Sequence, residues 1–157
     1  MAALIKIAVV TFVVIGACCI VAVMVVPPIG ASAAIRDEDT LRLILMLDSA
    51  THAHRLTEGH YPMGDGQGSA ELVRALSKSR ECGRPYVSFS PAMLTAEGDV
   101  RSPAGPEGEI VHYRDNTRLR ADVREAVAGN AGGFDLWARD SEGRVDGISN
   151  AAVQRER

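Results

Sequence analysis

The sequence predicts an α+β chain: a long N-terminal helix with a membrane-spanning half and an amphipathic half, followed by short strands. Three observations carry that prediction. Residues 7–27, IAVVTFVVIGACCIVAVMVVP, contain no charged residue. Apolar residues then recur at helical spacing as far as Glu58. Beyond Gly59 the texture changes to short alternating segments broken by Gly- and Pro-rich turns. The expected parts are an anchor over residues 1–30, an α+β domain over residues 31–150 and a flexible tail over residues 151–157.

The opening run meets the roughly 20 apolar residues that a helix needs to cross a bilayer. In lipid the backbone must satisfy its own hydrogen bonds, which outweighs the weak helix preference of Val and Ile. A cleaved signal peptide would show about 7–15 apolar residues after a basic start. Here the run is longer and only Lys6 precedes it. A lipoprotein signal ending at Cys18 would leave CIVAVMVV behind it, itself a lipid-seeking segment. A retained single-pass anchor is the favoured reading. Lys6 before the span, and Asp37, Glu38 and Asp39 after it, favour an N-terminus on the inside.

Bulk properties exclude some classes. A formal net charge of −3 over 157 residues offers no basic surface for nucleic acid. Three cysteines, two of them adjacent at Cys18 and Cys19, build no disulfide framework. Cys82 stands alone in the polar part.

Pro27, Pro28 and Gly30 are expected to break or kink the first helix. A second helical stretch follows over residues 31–58, with Ser32 or Asp39 as a start and Gly59 at its C′ position. Its turn LILML is apolar nearly all round. One stripe would suffice for a helix on a sheet. The surplus fits either a second partner, such as a neighbouring copy, or a core that wraps more than half the helix.

Ser69 is expected to cap a short helix, AELVRALSK, over residues 70–78. Strands are expected over residues 86–89, 110–113 and 134–138, and residues 117–130 fit either helix or strand. GDGQGS follows a helix and lacks the Lys of a phosphate loop. His52 and His54 diverge on a helix, and His54 with Glu58 leaves a zinc site incomplete, so both histidines read as surface residues. No spacing of Ser, His and Asp marks a nucleophile with its base, so no enzyme activity is expected.

The order of parts resembles the type IV pilin-like family, specifically the major pseudopilin of type II secretion systems. The carriers are Val25-Val26-Pro27 at the end of the span and Glu58-Gly59-His60-Tyr61-Pro62. Gln67-Gly68 with Leu72-Val73 follows, then Phe134-Asp135-Leu136-Trp137 with Glu142-Gly143. The closing stretch is Asp146-Gly147-Ile148-Ser149-Asn150. The resemblance implies a helix packed on a small antiparallel sheet, an inner-membrane anchor and an extracytoplasmic domain. It also implies partners: the lipid bilayer, and copies of itself or related subunits met through the long helix. The sequence departs from the family at residues 4–11, LIKIAVVT, which carry neither the Gly-Phe cleavage site nor the acid that follows it. A membrane-tethered binding module that does not polymerise is the alternative.

The same resemblance implies a structural calcium in the loop of FDLWARDSEGRVDG. Glu142 stands at the family's earlier Asp and Asp146 at its first late Asp, while Gly147 replaces the second. Asp140 adds a carboxylate, and the carbonyls of Leu136 and Val145 are further donors. A solvated β-turn is the other reading. A catalytic acid pair is the weaker one, because these acids crowd a single turn rather than face each other across a cleft.

Overall fold

The computed structural model describes residues 29–78, 83–105, 109–130 and 132–155. Residues 7–27, Lys6 and all three cysteines lie outside them, so the anchor, its orientation and the fate of Cys18 do too. Among the described residues no helix is long and apolar enough to cross a membrane. By its internal contacts the chain divides into residues 1–34 and residues 35–157.

The described part is α+β. Helix α1 (Ile29–Glu58) is followed by α2 (Ala70–Leu76), strand β1 (His112–Asp115), α3 (Ala121–Val127), β2 (Phe134–Ala138), β3 (Ile148–Ser149) and α4 (Asn150–Arg155). The strands form one antiparallel sheet in the order β1-β2-β3. Tyr113 pairs with Leu136 and Asp115 with Phe134, while Ala138 pairs with Ile148. Alternation then sends Tyr113, Phe134, Leu136, Ala138 and Ile148 to one buried face.

From residue 35 onward α1 supplies one stripe to that core: Thr40, Ile44, Leu47, Ala50, Thr51 and His54. It is tied to the sheet by polar contacts as well. The Asn150 amide donates to Asp48 Oδ1 at 3.0 Å, and its oxygen accepts from the Leu136 amide at 3.0 Å. The buried Thr40 hydroxyl accepts from the Ala104 amide at 2.8 Å. Most of the apolar surplus of the LILML turn goes inward. Ile44 and Leu47 are fully buried and Leu43 packs against the core, while Leu45 is half-buried and Met46 exposed.

Helix α1 ends as expected. Gly59 has φ +79°, and its amide donates to the Arg55 carbonyl at 2.9 Å. That left-handed turn suits a residue without Cβ. The start differs. Helix is already formed at Ile29, so Gly30 is helical and neither Ser32 nor Asp39 opens the segment.

Three local expectations are corrected. Ser69 makes no side-chain cap; its hydroxyl accepts from the Val100 amide at 2.8 Å. Asp99 does the capping instead, with Oδ1 accepting from the amides of Ser69 and Ala70 at 2.6 and 2.7 Å. A Cβ on Gly68 would stand 2.4 Å from that oxygen, which is why glycine sits there. Tyr86 to Phe89 form no strand, because the amides of Tyr86 and Val87 both donate to the Leu76 carbonyl that ends α2. Residues 150–155 form a helix packed on β2 and β3, so the described part of the tail expected over residues 151–157 is helical.

The strand expected over residues 110–113 is displaced. Ile110 bridges Arg101 and the Val111 amide donates to the Val100 carbonyl, closing a narrow hairpin before β1 begins. The GDGQG loop covers the free edge of β1: Gly66 donates to the Tyr113 carbonyl at 2.9 Å, and the Tyr113 amide donates to Gly68 at 3.0 Å. An edge paired in this way is closed to further strands.

Candidate functional site

The acidic loop, residues 139–147, joins β2 to β3. Asp140 turns inward and is only 2% exposed. Its Oδ1 accepts from the amides of Glu142 and Arg144 at 3.0 and 2.9 Å, and its Oδ2 pairs with the Arg144 guanidinium. The backbone closes on itself as well. The Asp140 amide donates to the Arg144 carbonyl at 3.1 Å, and the Gly143 amide to the Asp140 carbonyl at 3.0 Å. Burial pushes the Asp140 carboxyl up, but the Arg144 guanidinium and the two amides outweigh it and hold the group below the usual carboxylate range.

Neighbouring side chains fasten the loop to the rest of the domain. Ser141 donates its amide and hydroxyl to the Asp37 carboxylate of α1, at 2.8 and 2.7 Å. Arg139 donates to the Gly143 carbonyl at 2.9 Å and reaches Glu109 at 3.4 Å. Glu142 is exposed and 3.5 Å from Arg144; Asp146 is exposed at the loop's far end.

The loop thus brings Asp140 and Glu142 together around Arg144, without Asp146. Among the described residues no three His, Cys, Asp or Glu side chains stand close enough to hold a metal ion. A calcium shell asks for about 6–8 oxygens. The Asp140 oxygens already serve the loop's own N–H groups and a guanidinium, so the residues in this arrangement do not fit such a shell.

Sequence reasoning missed Arg144 and Asp37. Arg144 had a local signal, standing four residues after Asp140 within one turn-rich stretch. Asp37 had none, being more than a hundred residues from Ser141.

Of the two histidines expected at the surface, His52 is exposed and His54 is not. His54 is buried, with Nδ1 3.2 Å from the His60 carbonyl and its ring 5.3 Å from that of Tyr86. The Nδ1 contact makes that nitrogen a donor, so His54 helps fold the chain back after α1. His52 lies edge-on to Phe134 at 5.1 Å.

A second candidate surface is the uncovered side of α1. Ile35, Arg42, Met46, Ser49 and Ala53 follow spacings of seven, four, three and four residues along one line of the helix. Ile35 is 59% exposed and Met46 39%. This is the seam geometry by which one helix meets another. No protein-family model matches the chain, and no curated protein or solved structure matches it.

Proposed function

We propose that the chain is a membrane-anchored structural subunit, pseudopilin-like, of a type II secretion or pilus-like assembly for protein export. Residues 7–27 hold it in the inner membrane with the N-terminus inside, and the α+β domain is extracytoplasmic. Contacts with copies of itself, or with related subunits, run along α1. The observation that supports this reading best is the line of exposed Ile35 and Met46 and half-buried Ala53, with Arg42 and Ser49 between them, on a helix whose other stripe is already committed to the core. A helix that needed only its own sheet would have no use for apolar residues at coiled-coil spacing on a second side.

One observation favours the tether without assembly. Most of the LILML turn is absorbed by the domain's own core, and Arg42, paired with Glu38 at 2.6 Å, puts charge into the seam itself. The seam is therefore narrow.

Site-directed crosslinking separates the two. In membranes, with the three natural cysteines replaced, single cysteines at Arg42, Met46 or Ser49 should give a ladder of dimers and higher species. Cysteine at the buried Leu47 should give none. Monomer alone at every exposed position would support the tether and remove the assembly.

A further inference from the structure

We infer that Arg144 is the built-in cation of the loop over residues 139–147, which therefore closes without a divalent metal ion. Four observations converge on it. The Arg144 guanidinium sits directly on the carboxylate of Asp140, the one acid of the loop that is turned inward. The other oxygen of that carboxylate accepts from the amides of Glu142 and Arg144. Glu142, the second acid of the turn, faces the same guanidinium at 3.5 Å.

The fourth observation is steric. A Cβ placed on Gly147 would stand 2.2 Å from Asp140 Oδ2 and 2.5 Å from its Cγ. Any side chain there would displace the carboxylate from its partner. In this chain the missing side chain at residue 147 and the arginine four residues after Asp140 are complementary. The room an extra acid would need is filled by Asp140, and the positive charge that gathered acids would need is covalently attached.

The physical consequence concerns preorganisation. A metal-closed loop is ordered only while the ion is bound, and its stability follows the ion's concentration. A loop closed by an arginine of its own chain has no such dependence. Its link to α1 through Ser141 and Asp37 then persists in calcium-poor surroundings. This inference concerns the loop alone and stands whether or not the chain assembles.

Thermal unfolding of the full chain in mild detergent, in millimolar calcium and separately in EGTA, tests it. The native chain should unfold at the same temperature in both, and calcium titrated into it should release no binding heat. Arg144→Gln should lower the unfolding temperature by about 3–6 °C in EGTA. In an Asp140→Asn background the same change should cost far less, since the partner charge is gone. A calcium-dependent rise of several degrees in the native chain would overturn the inference, as would an Arg144→Gln variant that unfolds with the native chain. Should Arg144→Gln fail to fold, the calcium titration of the native chain decides on its own.

Discussion

Phe134→Ala is expected to lower the stability of the domain by about 3–5 kcal/mol, the cost of emptying a buried aromatic site that cannot collapse. Phe134 of β2 is fully buried, and rings from α1, from β1 and from the loop after α1 meet its own. Tyr61 lies edge-on at 5.0 Å, His52 of α1 at 5.1 Å and Tyr113 of β1 at 5.8 Å. Rigid rings on three sides leave a void that no side chain can fill by changing rotamer. Phe134→Leu, which keeps much of the volume, should cost roughly half as much. Denaturant unfolding of the full chain in detergent measures both. A Phe134→Ala loss below about 1 kcal/mol would mean that this junction does not hold α1 to the sheet.

Asp135→Ala is expected to cost a similar amount, about 3–5 kcal/mol, by a different route: it leaves a mostly buried cation without its counter-charge and two amides without their acceptor. Asp135 points to the opposite face of β2 from Phe134, yet it is buried, with its side chain 8% exposed. It accepts from Arg114 at 2.7 Å and from the amides of Gly129 and Asn130 at 3.0 and 2.9 Å. Arg114 is itself mostly buried and also donates to Asn116 at 3.0 Å. One carboxylate therefore ties the segment between β1 and β2 onto the sheet.

Burial alone would push the Asp135 carboxyl up. Arg114, the two amides and Asn116 outweigh it, and the group lies below its ordinary value. A carboxyl depressed on folding contributes stability that is fully present above its unfolded pKa, near 4, and is lost as pH falls through the folded value. Stability should therefore be flat in this contribution at neutral pH and fall below about pH 4. Asp135→Asn should flatten that acid limb while costing less than Asp135→Ala. An unchanged acid limb in Asp135→Asn would assign the acid sensitivity to other carboxyls.

Local chemistry was legible in the sequence wherever one segment decides its own state. Gly59 ends α1 because a left-handed residue is needed there, and the alternating segment Phe134–Ala138 forms the strand expected of it. The expected helix over residues 70–78 forms over Ala70–Leu76, since Leu72, Val73 and Leu76 share one buried face. What failed was set by partners far along the chain. Asp99 caps α2 from thirty residues away, and no rule about residues beside Ser69 could announce it. The Leu76 carbonyl captures the amides of Tyr86 and Val87, so a segment of good strand formers stays irregular.

The acidic loop divides in the same way. Its turn character followed from Gly143 and its acids, but the resemblance to a calcium loop drew attention to carboxylates and carbonyls, the oxygen donors. The residue that governs the loop is basic. Asp140 with Arg144 is a local pair, legible once cations are counted beside the acids, whereas the anchorage of Ser141 on Asp37 depends on the tertiary fold.

Everything proposed for the chain's role depends on residues 7–27 remaining in lipid. Intact-mass measurement of the chain from carbonate-washed membranes of an expressing cell tests this most directly. A membrane-retained polypeptide whose mass includes residues 7–27 is the predicted result. A soluble product that begins beyond residue 28 would contradict both the assembling subunit and the tethered module.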